Sequence, residues 1–260
     1  MSLTNYFLVA LFCSLLYFSL WFVAGLFIKR FDFIDVAWGG GFIAVALTTL
    51  AIGDDSLYFV QKLVLLLVGI WGVRLMFHIF MRNVAKSEDA RYIAMYSKWK
   101  KFKFLNIFLK IYILQAILLV LVAMPIIATA SATDPFNSQL LLGIGFALWA
   151  IGFAFEFFAD KQLADFIKNP KNKGKIMTSG VWKYSRHPNY FGEVTLWWGI
   201  WLISVSLNPV WWSPIGPITI SYLILFVSGV PMLEKKYASN KAFQTYAQKT
   251  SKFIPLPPKK

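Results

Sequence analysis

The chain has 260 residues, of which 58% are hydrophobic and 18% aromatic, and its formal net charge is +14 at pH 7. This composition, with a mean hydropathy of +0.60, excludes an ordinary soluble domain and predicts an all-α, polytopic membrane protein. The single cysteine, Cys13, and the two histidines, His78 and His187, exclude a disulfide framework and predict no metal site built by the protein.

Seven apolar segments are each long enough to cross a bilayer as a helix. They cover residues 5–28, 33–52, 58–80, 104–128, 139–158, 191–207 and 209–229. The first lacks a preceding basic region, so we expect a membrane helix there and not a cleaved signal. Short cytoplasmic amphipathic helices are expected at 160–168 and 232–249, followed by a proline-rich tail that cannot stay helical.

The cations are concentrated in alternate loops. Lys and Arg follow the first span and fill residues 82–103, 161–186 and the tail from Lys235, whereas the other loops hold Asp54, Asp55 and Asp134. By the positive-inside rule, the N-terminus lies outside and the C-terminus in the cytoplasm. The positive charge therefore reflects topology and phosphate contacts, and it does not indicate nucleic acid.

A dense polar motif opens the sixth span, where residues 186–193 read Arg-His-Pro-Asn-Tyr-Phe-Gly-Glu. Pro188 suits the first turn of a helix, so Arg186 and His187 lie at the helix mouth, where free N–H groups and the dipole favour an anion. Asn189 and Glu193 are four residues apart and share a helix face. The motif predicts a site for a phosphate-bearing cofactor. The alternative is a charged interfacial cap of a membrane helix.

Most other ionisable residues in the spans lie near the same, cytoplasmic ends of their helices. These residues are Asp35, Arg74, His78, Arg82, Glu156, Asp160 and Glu234. Such a distribution favours a catalytic cavity that opens to the cytosol. For individual residues simpler roles remain open: Arg74 and Arg82 could reach the headgroups, His78 could be buried and neutral, and Asp35 could be only the counter-ion of Arg74.

The segment 156–193 resembles the C-terminal domain of the steroid 5α-reductase family, and most closely its bacterial branch of steroid-reductase-like membrane proteins. The resemblance rests on residues 179–193, Ser-Gly-Val-Trp-Lys-Tyr-Ser-Arg-His-Pro-Asn-Tyr-Phe-Gly-Glu. Further matching features are Asp-Val-Ala-Trp at 35–38, Arg74-Leu75, Glu-Asp-Ala-Arg-Tyr at 88–92 and Thr-Ser-Lys-Phe-Ile-Pro at 250–255. The resemblance implies a seven-helix fold that binds NADPH on its cytosolic side and transfers a hydride to an electron-poor C=C bond of a steroid or similar lipid.

The resemblance also implies roles for individual residues. Asn189 and Glu193 are expected to hold the nicotinamide-ribose end, Arg186 and Tyr184 to face phosphates with the lysines at 171–175, and Asp160 to meet the adenosine. The predicted cofactor-binding residues are Asp160, Lys161, Lys171, Lys175, Trp182, Tyr184, Arg186, His187, Asn189, Tyr190 and Glu193. The chain is then one membrane domain, with substrate-side helices in 1–128 and the cofactor-binding part in 139–260.

The substrate side departs from the family pattern. Steroid reductases carry a Gln-Glu pair on the second helix and a Tyr on the third, which polarise the substrate carbonyl. Here the second helix has Asp35-Val36-Ala37, and Ile79 stands where the Tyr is expected. We therefore predict His78, Asp35 and Tyr92 as catalytic residues, with His78 as the proton donor because a histidine poised near neutrality is a suitable general acid.

Two other functions compete with a reductase. A methyltransferase of the isoprenylcysteine or phospholipid type also uses an Arg-His-Pro-x-Tyr turn and binds S-adenosylmethionine, but it usually has adjacent glutamates after the last span, whereas Glu234 precedes two lysines. A non-catalytic lipid-binding protein is the third possibility. In every case the expected partners are membrane lipids and a lipid or steroid-like small molecule, and the expected location is the bacterial inner membrane.

Overall fold

The structure is a computed structural model of the chain, and it describes residues 2–53, 57–84, 86–132 and 138–259. Within these ranges all regular secondary structure is helical, which confirms the all-α prediction. Asp54, Asp55 and Asp134, the acidic loop residues of the topology argument, lie outside the described residues.

The helices in chain order are labelled as follows. They are α1 (Leu3–Ile28), α2 (Ile34–Ala51), α3 (Phe59–Val84), α4 (Ala90–Tyr96), α5 (Lys103–Val122, with a π-helical stretch Phe108–Ile113), α6 (Met124–Ala130), α7 (Gln139–Lys168), α8 (Pro188–Leu207), α9 (Ile215–Tyr222, continued by a π-helical stretch Leu223–Val227), α10 (Val230–Tyr237) and α11 (Lys241–Lys249).

Six helices of the described chain are long and apolar enough to cross a membrane, against the seven predicted. They are α1, α2, α3, α5, α7 and the stretch Ile215–Tyr237. The predicted sixth span, 191–207, coincides with α8, which has 20 residues. It is long enough to cross a membrane but is not one of the six.

The predicted span 209–229 becomes helical only at Ile215, and three other predicted elements also differ from the structure. Residues 160–168 are not a separate interfacial helix, because α7 continues unbroken to Lys168 and is 30 residues long. At 1.5 Å per residue α7 measures about 45 Å, which exceeds the roughly 30 Å hydrocarbon core. The helix is therefore longer than a single crossing requires, and it ends before Pro170.

The other two differences are breaks within predicted helices. The span 104–128 is interrupted at Ala123, because Pro125 suits only the first turn of a new helix, α6. The predicted helix 232–249 is divided into α10 and α11, because the Asn240 side chain accepts a hydrogen bond from Phe243 N (3.0 Å) and starts a new helix. Residues 250–259 are not helical, as predicted.

The chain forms two compact units. Unit one comprises Met1–Asn137 and Ser204–Gly216. Within it, α2 and α3 touch backbone to backbone, since a Cβ atom on Gly39 would lie 2.2 Å from the carbonyl oxygen of Gly72. Only glycine permits such an approach, so this pair fixes how α2 crosses α3.

Unit two comprises Ser138–Ile203 and Pro217–Lys260. Here α7 and α8 pack antiparallel through four glycines, which we call the glycine seam. A Cβ atom on Gly152 would lie 2.6 Å from the carbonyl oxygen of Gly192, and one on Gly199 would lie 2.7 Å from that of Gly145. The glycines recur every seven residues on each helix, so they form one continuous stripe where the backbones meet.

Candidate functional site

The 186–193 motif lies where a short 3₁₀ turn, Gly180–Lys183, leads into α8. As predicted, α8 begins at Pro188, so Arg186 and His187 precede the helix and Asn189 lies in its first turn. The glycine seam brings this turn against the C-terminal half of α7. The motif is thus a junction between two packed helices and a loop.

Two buried carboxylates of α7 face the first turns of α8. Glu156 is 2% exposed and Asp160 is 8% exposed. Asn189 Nδ2 donates a hydrogen bond to Asp160 Oδ1 (3.3 Å), and a Cβ atom on Gly192 would lie 2.5 Å from Glu156 N. Glu193, half-buried, follows one turn after Asn189. The structure thus brings two predicted cofactor residues, Asp160 and Asn189, into direct contact.

Arg186 is held by protein groups. Its Nε and Nη2 donate to both carboxylate oxygens of Glu234 (2.9 and 3.0 Å), and its Nη1 donates to the carbonyl oxygens of Ala247 and Thr250 (both 2.9 Å). A planar guanidinium bound on both edges is a rigid cross-link. The sequence predicted that Arg186 binds an anion at the helix mouth. In the structure most of its N–H donors already bond to acceptors within unit two.

His187 shares the same carboxylate. Its Nε2 lies 2.9 Å from Glu234 Oε1, and the side chain is only 3% exposed. Burial lowers the pKa of His187, although the contact with Glu234 opposes this shift. The ring is therefore neutral at pH 7, with Nε2–H donating to Glu234 and the Nδ1 lone pair free of any partner among the described residues. Its ring stacks on Tyr190, with centroids 5.8 Å apart.

The C-terminal segment fastens the loop that precedes α8. Ser185 Oγ donates to the carbonyl oxygen of Phe253 (2.7 Å), and Arg186 N donates to that of Ser251 (2.9 Å). The hydroxyl of Tyr246 donates to the carbonyl oxygens of Trp182 and Ser185. This buried clamp, together with Glu234, was not predicted. The signal in the sequence was the 250–255 segment. It matches the family pattern, but the resemblance assigned no role to it.

The remaining predicted cofactor residues fall into two groups. Trp182 is a core residue, because its Nε1 donates to the carbonyl oxygen of Ala159 (3.1 Å) and its ring packs against Met177. The others are exposed on unit two. They are Lys161, Lys171, Lys175 and Tyr184. An exposed lysine can contact a phosphate. Trp182 is only 9% exposed, so only that small part of the residue can contact a cofactor.

Two of the three predicted catalytic residues are in contact in unit one. Tyr92 Oη donates to Asp35 Oδ1 (2.5 Å), and Arg91 Nη2 lies 3.3 Å from Asp35 Oδ2. Asp35 thus contacts both Tyr92 and Arg91. Burial and then the carboxylate of Asp35 raise the pKa of Tyr92 well above its usual value, so the phenol stays protonated. His78 is half-buried on α3.

Residues 88–92 form a network of hydrogen bonds next to the Asp35–Tyr92 pair. Glu88 accepts hydrogen bonds from Phe31 N (2.7 Å) and from the hydroxyl of Tyr96 (2.6 Å). Asp89 caps α4 by accepting from Arg91 N (2.8 Å), and its own N–H donates to Asp32 Oδ2 (3.1 Å). These contacts tie the loop after α3 to the junction between α1 and α2, and they hold Tyr92 in place.

Comparison with known proteins gives one long match and three short ones. Residues 21–250 match the family described as "Protein of unknown function (DUF1295)". "Probable O-methyltransferase ustE" of Ustilaginoidea virens is 36% identical over 74 residues, which are 27% of this chain and 26% of that protein. "3-oxo-5-alpha-steroid 4-dehydrogenase 1" of Mus musculus and of Rattus norvegicus are each 38% identical over 66 residues, 25% of this chain and 26% of each relative.

The chain thus matches only about a quarter of the length of these curated relatives. No solved structure matches.

Proposed function

The chain belongs to the DUF1295 family, and from that premise we propose that it is a membrane NADPH-dependent reductase that transfers a hydride to a C=C bond of a steroid-like or other unsaturated lipid. The single observation that carries the proposal is the Asn189–Asp160 contact beside the buried Glu156, at the motif that resembles the steroid reductases. The similarity to 3-oxo-5-alpha-steroid 4-dehydrogenase 1 and the membrane-type helices support it.

The proposal includes a topology and a division of labour. With α8 counted as a seventh span, the N-terminus lies outside and the C-terminus in the cytoplasm, in a bacterial inner membrane. Residues 139–260 bind the cofactor, and 1–128 form the substrate side of a single membrane domain. The substrate is apolar, because the proposed enzyme draws it from the lipid phase.

In this proposal the groups at the start of α8 hold the polar parts of NADPH. Asn189 and Glu193 bond the nicotinamide-ribose end, and Asp160 accepts from an adenosine-side hydroxyl. The exposed Lys161, Lys171 and Lys175 contact phosphates as mobile point charges. Arg186 and His187, with Tyr190 stacked on His187, keep the mouth of α8 in shape. NADPH supplies the hydride, and the protein orients it.

The cofactor assignment is tested by thermal unfolding of the detergent-purified protein during titration with NADPH, NADH and S-adenosylmethionine. A ligand that binds only the folded state raises the midpoint according to its occupancy. We expect NADPH to bind about tenfold or more tightly than NADH, because a charge-assisted contact to the extra phosphate contributes roughly 1.5–3 kcal/mol. Equal shifts with NADPH and NADH, or no shift with either, would contradict the proposal.

Two alanine variants locate the binding site in the same titration. Asn189→Ala removes the amide that donates to Asp160 and should weaken NADPH binding roughly five- to a hundredfold. Asn208→Ala is the matched control, because it removes an amide that donates to the carbonyl oxygen of Ala128 (2.9 Å) in unit one. Asn208→Ala should lower the unfolding midpoint and leave NADPH affinity unchanged.

For the proton donor we propose Tyr92, positioned by Asp35, with His78 as the alternative. A neutral O–H group can stabilise the negative charge that hydride addition leaves on the substrate, and Tyr92 is kept protonated by its surroundings. Its O–H donates to Asp35 Oδ1 in the structure and would turn from Asp35 to the substrate during the reaction. We expect Tyr92→Phe to slow single-turnover NADPH oxidation about a hundredfold with NADPH affinity intact. If Tyr92→Phe reacts at the wild-type rate and His78→Gln does not, the donor is His78.

A methyltransferase is the second candidate, because the match to "Probable O-methyltransferase ustE" is as long as the matches to the steroid dehydrogenases. In that case S-adenosylmethionine would bind at α8 in place of NADPH. The titration described above separates the two functions directly: a midpoint shift with S-adenosylmethionine that Asn189→Ala abolishes, with none for NADPH, would favour the methyltransferase. No shift with any of the three ligands would favour a non-catalytic lipid-binding protein.

A further inference from the structure

A short segment of unit one carries exposed cations and exposed aromatic rings at the start of a membrane-type helix. Residues 98–105, Lys-Trp-Lys-Lys-Phe-Lys-Phe-Leu, are called here the basic–aromatic segment. All four lysines are exposed. Phe102 is 77% exposed and Phe104 and Leu105 are more than half exposed. Large apolar groups do not remain in water at such density unless something covers them.

The charge of this segment is not compensated within the described protein. Lys98, Lys100 and Lys101 have no carboxylate partner there. The nearest carboxylates along the chain, Glu88 and Asp89, are occupied by Tyr96, Phe31 N and Arg91. No Asp or Glu occurs from residue 90 to residue 133. Among the described residues, the segment therefore presents a local excess of exposed positive charge.

Two contacts indicate at which level of the membrane the segment lies. Lys110, two turns into α5, directs its Nζ towards the ring of Trp99 (5.2 Å to the centroid), and Lys103 Nζ lies over the ring of Tyr96 (4.2 Å). A lysine that reaches back from a membrane helix does so to bring its ammonium to the polar boundary. Trp99 and the lysines around it therefore lie at that boundary, where tryptophan is enriched.

The backbone turns one ring outward at this point. Phe102 has φ 50° and ψ 40°, the left-handed conformation, and it immediately precedes α5. This conformation is unfavourable for a bulky residue and common for Gly or Asn. An aromatic residue in this position is therefore not explained by the turn alone. A ring that enters the headgroup–acyl boundary while the neighbouring lysines contact phosphates accounts for both features.

We propose that the basic–aromatic segment is a docking surface for anionic phospholipid headgroups. The lysines contact the headgroup phosphates, and Phe102, Phe104 and Leu105 lie among the upper acyl chains. Each lysine near an anionic membrane surface contributes roughly a fivefold preference for anionic lipid, so three lysines suffice to select anionic over zwitterionic lipid. This surface is independent of the proposed reductase function.

The test measures lipid binding to the purified full chain in detergent by native mass spectrometry, with phosphatidylglycerol and phosphatidylcholine compared. The wild type should bind phosphatidylglycerol more tightly. The triple variant Lys98→Gln, Lys100→Gln, Lys101→Gln should lose at least tenfold of that affinity, and added salt should have the same effect. The matched control removes three other exposed lysines, Lys235, Lys241 and Lys249, and should retain most of the preference.

Two further measurements keep the proposal falsifiable. Phe102→Asn suits the left-handed backbone and so preserves the turn, yet it should weaken phosphatidylglycerol binding because the ring is lost. Soluble glycerol phosphate should not compete at concentrations that match the lipid. The proposal would be overturned if the two triple variants lost the same phosphatidylglycerol affinity, or if Phe102→Asn bound phosphatidylglycerol like the wild type, because the attraction would then be unspecific. Full competition by glycerol phosphate would also overturn it and would indicate a simple anion site.

Discussion

Replacing Gly152 with leucine is expected to lower the stability of the protein by at least about 3 kcal/mol and to abolish the proposed NADPH binding. A Cβ atom at this position would lie 2.5 Å from Leu196 N and 2.6 Å from the carbonyl oxygen of Gly192. Overpacking usually costs 1–3 kcal/mol when side chains can move. Here the obstructing atoms belong to the backbone of α8 and cannot rotate away, so the two helices must separate.

Separation of the helices would also disturb the candidate site, because the same seam places Asp160 beside Asn189. The matched control is Gly143→Leu, nine residues earlier on the same helix, where a Cβ atom meets nothing within 4 Å. This control removes a helix glycine without any clash, so its unfolding midpoint should equal or exceed that of the wild type. Similar midpoints for the two variants would show that the glycine seam is not a close contact in solution.

Local sequence was sufficient to predict where α8 begins and which residues share its first turns. The reason is that a proline at the first helical position and a spacing of four residues are local signals. Helix lengths were less well predicted. The break after Val122 depends on Pro125. The uninterrupted course of α7 to Lys168 depends on the absence of a helix breaker before Pro170. The periodicity of apolar residues indicates neither feature well.

The partners of the polar residues were not predictable from local sequence. Arg186 suggested an anion site because a cation stood at a helix mouth, but its carboxylate partner, Glu234, is 48 residues away in the chain. Asp35 likewise meets Tyr92 across 57 residues. Such pairings depend on how the helices pack. The glycines of the seam were visible in the sequence at intervals of seven, although nothing in one helix alone indicates which partner it meets.

The division of roles between Arg186 and Asn189 follows from these contacts. Arg186 binds two carbonyl oxygens and a carboxylate of the C-terminal segment, so it connects that segment to the mouth of α8. Asn189, three residues later, contacts α7. The motif thus combines a residue that fixes the loop with a residue that can serve a ligand, and the two functions should separate in variants.

Glu234→Gln is the variant in which that separation should be largest. It should lower the stability by about 2–3 kcal/mol, because it leaves the largely buried Arg186 without its counter-charge; the estimate is below that for a fully buried pair since Glu234 retains 23% side-chain exposure. The affinity for NADPH should fall much less than in Asn189→Ala, because Asn189 keeps its contact with Asp160. Lys235→Gln, at the adjacent exposed position, is the control and should change neither quantity.

A double-mutant cycle of Glu234→Gln with Arg186→Gln, measured by thermal unfolding, should give a coupling energy of about 2 kcal/mol. Simple additivity of the two single variants would mean that the ion pair does not hold the loop, and the clamp would then rest on Tyr246 and Ser185.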